Sequence, residues 1–302
     1  MKIIFIHGMN QQNYDEKSLK HLWLNTFQAG LNNAQLNINI HSLEIRIPFY
    51  GDLLSKHHLY NSLDLNTLLP KSLSHLHLPF HLRHNSTMVP EQHPCVSKLP
   101  CFNPEHAASL TQRLALISAL TRDHAFKELA LFLNHYPKLH ETFIHKFLIE
   151  TYLYLSNPDF MHEVHHRIMS YLHPELDHII VAHSLGSVIT YNLLHQFSNF
   201  RIQRFITLGS PLAFKVIQEK LNLPISRPPQ LQGDWFNFYS PDDFLTAFPL
   251  SEAPFNFEPP IINQAITTFL QNPHSITGYL QHPAVIKSII DGLNLKKIAI
   301  YR

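Results

Sequence analysis

A chain of 302 residues in which 45% of side chains are apolar and only 15% charged has ample material for a core and no signature of disorder. Its 23 Lys plus Arg against 22 Asp plus Glu leave a formal charge of +1, which argues against broad electrostatic affinity for nucleic acid or an anionic membrane. The length fits one large domain, with or without an inserted subdomain, and two cysteines are too few for a disulfide framework.

In chain order, KIIFI at 2–6 reads as a short buried strand that stops at Gly8. This apolar run is too short for the core of a secretory leader, and no segment approaches the roughly 18 consecutive apolar residues of a membrane span. The expectation is a soluble, cytoplasmic chain, with peripheral membrane contact and export without a leader both left open. A helix is predicted from about Asp15 to Ala29, with Leu19, Leu22, Trp23 and Phe27 on one side. Residues 38–47 alternate apolar and polar through Ile38, Ile40, Leu43, Ile45 and Ile47, which predicts a second strand ending at the PFYGD turn.

From about Leu53 to Phe160 this alternation breaks. Residues 70–104 are rich in Pro and His without a period, and two helical patterns follow, from about Ala107 to Tyr136 and from about Leu139 to Leu155. Beyond them the spacing predicts a helix over 159–172, a strand in DHIIVAH (177–183), a helix over 187–197, and strands in RFITLGS (204–210) and DWFNFYS (234–240). A helix over 283–293 and a last apolar segment, KKIAIY (296–301), complete the chain. Strands separated by helices predict an α/β fold, a mostly parallel sheet flanked by helices. Residues 1–52 and 159–302 would build it, with 53–158 as a helical, His- and Pro-rich insertion.

The chemistry concentrates in HIIVAHSLGSVIT, where an apolar strand runs into Ala182-His183-Ser184-Leu185-Gly186 and then into an apolar helix. A sharp strand-to-helix turn would lift the Ser184 hydroxyl above the sheet edge, and small residues at 182 and 186 would let neighbouring backbones approach. On these residues the chain resembles the α/β-hydrolase superfamily, in its lipase-like and esterase-like branch, over everything but the insertion. It departs from the pattern at Ala182, where the family has its first Gly.

That resemblance implies Ser184 as nucleophile, with an acid and a His following in chain order. It implies an oxyanion hole from the backbone N–H groups of Met9 and Leu185, with Gly8 and Gly186 as supporting turns. The acid is implied just past DWFNFYS, where Asp242 and Asp243 compete; the family pattern aligns better with Asp243 and leaves Asp242 as a turn residue. Of the 24 histidines only His274 and His282 lie further on. QNPHSITGYL (271–280) resembles the family's histidine loop, which makes His274 the base and His282 the start of the next helix. Thr207-Leu208-Gly209-Ser210-Pro211 also matches the family and is read as a structural turn near the site.

The implied activity is a serine hydrolase that cleaves a carboxylic ester, foremost a lipid or other acyl ester, through an acyl-enzyme and without cofactor or metal. Phe143, Phe147 and Tyr152 of the insertion would line an acyl pocket, although such faces also suit ordinary core packing. The same residues would serve a thioesterase, an amidase or an acyltransferase. An inactive hydrolase-fold binding protein is the alternative from another class. His75, His77, His81, His84, His93, Cys95, Cys101 and His106 crowd one stretch, but no Cys-x2-Cys or His-x3-His pair stands clear, so no metal site is expected.

Overall fold

Strands rich in Ile, Val and Phe, joined by connections long enough for helices, pair in parallel. The computed structural model, which describes residues 1–8, 14–56, 141–221, 224–243, 245–246 and 248–299, has six of them: β1 (Lys2–Ile6), β2 (Ile45–Arg46), β3 (Asp177–His183), β4 (Arg201–Leu208), β5 (Leu231–Tyr239) and β6 (Ile262–Ala265). They form one sheet in the order β2-β1-β3-β4-β5-β6, each neighbouring pair parallel. Among the described residues the α-helices are α1 (Glu16–Asn33), α2 (Gly51–Lys56), α3 (Glu141–Ser156), α4 (Pro158–Met169), α5 (Leu185–Gln196), α6 (Lys215–Gln218), α7 (Ile276–Leu280) and α8 (Pro283–Ala299).

The two-residue period of a strand divides the core between the faces of the sheet. Ile3 and Phe5 of β1 and Ile179 and Val181 of β3 pack with Trp23 and Phe27 of α1 and Val285, Ile286 and Ile289 of α8. Their alternates, Ile4, Ile6, Ile180 and Ala182, pack with Tyr154 of α3, Val164 of α4 and Val188 of α5. In β4 the register slips between Ile202 and Arg204, so Ile202 and Phe205 share the second cluster although three residues apart.

Local chemistry sets the helix starts. Asp15 caps α1, its carboxylate accepting from the Ser18 N–H at 2.7 Å, and Asn157 caps α4 in the same way through Phe160 N–H, with Pro158 in the first turn. A polar chain that runs from the core to the surface ties α3 to its neighbours: Tyr154 donates to His165 Nε2, and His165 Nδ1–H donates to Gln196 of α5, both at 2.8 Å.

The predicted strand at 38–47 is reduced to β2. Asn39 accepts from His41 N–H and Ser42 donates to the Asn39 carbonyl, which closes a short 3-10 turn over Ile40–Ser42 and takes the backbone out of the ladder. Only Ile45 and Arg46 pair, opposite Ile3 and Ile4. The last apolar segment begins inside α8, which runs to Ala299. The pattern did not announce β6, whose Ile-Asn-Gln-Ala carries no apolar face, nor α7. The predicted helix over 107–136 and the His- and Cys-rich stretch 75–106 lie outside the described residues. Among the described residues no helix is long and apolar enough to cross a membrane.

Candidate active site

The sheet order places a reversal between β1 and β3, since the chain leaves β1 toward β2 on one side and returns to β3 on the other. In open parallel sheets, ligands gather beyond the carboxyl ends of the strands at such a switch point. Gly8 follows β1 there and Ser184 follows β3.

Ser184 sits between strand and helix with φ 54° and ψ −131°, a conformation that side chains adopt at a cost of roughly 1–3 kcal/mol. Its surroundings hold it there. Its N–H donates to the Leu208 carbonyl, and its carbonyl accepts from both the N–H and the hydroxyl of Ser187, itself bonded to Ser210 of the Thr-x-Gly-Ser-Pro turn. Gly8 and Gly186 are required by contact distances. A Cβ on Gly8 would lie 2.7 Å from Ser184 Cβ, and one on Gly186 would lie 2.5 Å from the His7 carbonyl oxygen. The strain predicts that Ser184→Gly is more stable than Ser184→Ala by about 1 kcal/mol in urea unfolding, because only glycine accepts this backbone freely. Equal or reversed stabilities would remove strain from the account.

Above the turn, Ser184 Oγ lies 2.7 Å from His274 Nε2, and His274 Nδ1 lies 2.7 Å from Asp243 Oδ2. All three are buried, at 1%, 6% and 1% exposure. Burial pushes the Asp243 carboxyl up, but His274 and the hydroxyls of Tyr279 and Thr246 outweigh it and hold the acid below its ordinary value. An ionised carboxylate only accepts, so Nδ1 carries the ring proton and Nε2 is left to accept from the Ser184 hydroxyl. Asp242, by contrast, is exposed in the turn. His282 starts the next helix, where its Nδ1 accepts from Ala284 N–H. The structure therefore brings together Ser184, His274 and Asp243, with Leu185 in the first turn of α5 and Gly8 against the serine.

Met9 lies outside the described residues. So does the side chain of Phe143, whose backbone belongs to α3. Phe147 and Tyr152 are buried in the same apolar cluster as Leu185 and Phe160. They do not line the small cavity beside Gly8 and Leu185, which is walled by Phe160, Val164 and Ile189 with Tyr50 and Glu150. Among the described residues no group of three or more His, Cys, Asp or Glu side chains could hold a metal.

Three neighbours of the site escaped the sequence reading. His183 Nε2–H donates to the His274 carbonyl at 2.9 Å, across 91 residues. Tyr50 stacks on His7 with ring centroids 3.7 Å apart, gives its N–H to His7 Nε2, and donates its hydroxyl to the His7 carbonyl. Tyr279 donates to Asp243 Oδ2 at 2.6 Å. His183 was visible inside the serine motif, but nothing local shows what its ring meets.

The buried histidines dictate a response to acid. Burial holds His7 and His165 at about 4, and burial together with His274 holds His183 at about 3. Unfolded, each takes a proton near 6.5, so the unfolded chain binds more protons as pH falls through the window from 6.5 to about 4, and stability drops there. On the order of 3 kcal/mol for each ring would consume most of a typical 5–15 kcal/mol. Urea midpoints should therefore fall steadily from pH 7 to 4.5; a flat profile would contradict these buried neutral rings.

No protein-family model matches the chain, and no curated protein matches it significantly.

Proposed function

We propose that the protein is a serine hydrolase of the α/β-hydrolase kind that cleaves a carboxylic ester, a lipid or other acyl ester first among them. The observation that carries this reading is the continuous relay from Ser184 Oγ through His274 to Asp243 at a strained strand-to-helix turn. His274 Nε2 takes the Ser184 proton as Oγ attacks the ester carbonyl, Asp243 stabilises the imidazolium so formed, and His274 returns the proton to the leaving alcohol. The resulting acyl-enzyme is hydrolysed by water activated by the same ring.

The oxyanion of each tetrahedral intermediate needs two donors. The Leu185 N–H at the N-terminus of α5 is one, favoured by the helix dipole, and the resemblance assigns the Met9 N–H as the other. The close fit of Gly8 against Ser184 supports that role for the loop after β1. The cavity of about 10 Å³ beside Gly8 and Leu185, where Glu150 joins Phe160, Val164 and Ile189, has room for about one water, so the preference for an acyl ester rests on the resemblance.

Turnover of p-nitrophenyl esters from acetate to palmitate by the full-length protein tests the reading. Hydrolysis that depends on Ser184 supports it, and the chain-length profile assigns the acyl class. No Ser184-dependent hydrolysis across the series would overturn the esterase assignment.

A further inference from the structure

We propose that Tyr279 is a positioning residue of this site: its hydroxyl fixes the Asp243 carboxylate and draws part of its charge away from His274, and Gly209 is a glycine so that the tyrosine ring fits. The inference rests on the serine-hydrolase reading for its effect on turnover, but not for its effect on the His274 ring.

Tyr279 is fully buried in α7, five residues after His274. Its hydroxyl lies 2.6 Å from Asp243 Oδ2, the same oxygen that accepts from His274 Nδ1 at 2.7 Å. A carboxylate cannot donate, so the phenol proton belongs to that bond. In the 2.8 Å contact between Thr246 Oγ1 and Tyr279 Oη the phenol oxygen then accepts from threonine, whose hydroxyl also lies beside the Asp243 carboxylate. A directed chain results, from Thr246 to Tyr279 to Asp243, meeting the imidazole proton on one oxygen. The other oxygen, Oδ1, accepts from Leu245 N–H at 3.1 Å. Every donor around the carboxylate fixes its plane, and the two on Oδ2 compete for the same charge.

Gly209 supplies the room. Its φ is +55°, and a Cβ there would lie 3.1 Å from the Tyr279 ring and 3.3 Å from Asp243 Oδ2. The Thr-x-Gly-Ser-Pro turn is thus shaped around the tyrosine on one side, while Ser210 reaches Ser187 under the nucleophile on the other.

The phenol keeps its proton throughout, since burial and the Asp243 charge push it far above the ordinary tyrosine range. Among the described residues, the other titratable groups facing the pair are His183 from β3, its ring 5.0 Å from that of His274 and 5.9 Å from that of Tyr279, and, beyond it, His7 just after β1. Both take protons only near 3 to 4, so they are silent above pH 5.

The test follows the His274 ring by NMR in full-length Ser184→Ala protein carrying labelled histidine, with its signal assigned by its loss in His274→Asn. Without the phenol, more of the Asp243 charge faces the imidazole, so Tyr279→Phe should raise the pH at which His274 takes its proton by about half a unit. Thr246→Val, which removes a hydroxyl that supports both Tyr279 and the Asp243 carboxylate, should move it the same way by less, and it carries the test if Tyr279→Phe does not fold. In the active protein, the acid limb of kcat/KM for p-nitrophenyl butyrate should move upward with the ring, and kcat should fall about tenfold with KM nearly unchanged, as expected when a reacting group is less well aimed. An unmoved ring titration in the folded variants would overturn the inference while leaving Ser184-dependent turnover intact. A ring that moves in a protein without Ser184-dependent turnover would support the positioning role and overturn the hydrolase reading.

Discussion

Ser184→Ala and His274→Ala should each lower ester turnover by about 10⁴- to 10⁶-fold with the fold retained by circular dichroism. An alanine in place of Ser184 can keep the same backbone turn; in His274→Ala the buried Asp243 carboxylate loses its imidazole partner but keeps the Tyr279 hydroxyl and the Leu245 N–H. The loss is large because the hydroxyl is a poor nucleophile until Nε2, 2.7 Å away, takes its proton. It should also be non-additive: the double variant should be no worse than either single one, since each already disables the same unit. Full activity in His274→Ala would remove that ring from the reaction and return attention to His282.

The second large effect separates neighbouring acids. Asp243→Asn should cost about 10⁴ in kcat, as the same exchange does in the serine-protease template, whereas Asp242→Asn should stay within about twofold, as for a surface turn. At 243 the carboxylate accepts from His274 and Tyr279 on one oxygen and from Leu245 N–H on the other. An amide has only one acceptor oxygen. Whichever way it turns, two donors face each other, and the charge that stabilises the imidazolium is gone in both orientations. Rates with wild type, Asp243→Asn and Asp242→Asn side by side decide the matter; the reverse ranking would shift the acid by one residue.

The parts of the fold that were legible in the sequence are those with strong local signals. β1 and β3 are continuous apolar runs closed by Gly8 and Ser184, and the helices that follow carry apolar residues at helical spacing. The parallel sheet followed from that alternation. The 38–47 segment misled because the alternation of Ile38 and Ile40 continues across Asn39 and Ser42, whose side chains close a turn instead. β6 stayed hidden because an edge strand needs no apolar face: it is recruited by backbone pairing of Phe236–Tyr239 with Ile262–Ala265. At the site, the serine motif, the order of acid and histidine, and the two glycines were readable as a pattern. The supporting bonds were not, since His183 reaches His274 across 91 residues and Tyr279 reaches Asp243 across 36. Such partners are chosen by the tertiary fold, and only the residue types were visible beforehand.

Labelling by a fluorophosphonate probe tests the central claim most directly, because it reads the activated hydroxyl without any choice of substrate. Wild type should form one covalent adduct per chain within minutes at neutral pH, mapped to the peptide that contains Ser184. Ser184→Ala should form none, and Asp243→Asn should label far more slowly. Equal labelling of wild type and Ser184→Ala, or no labelling of the folded wild-type chain, would contradict the account.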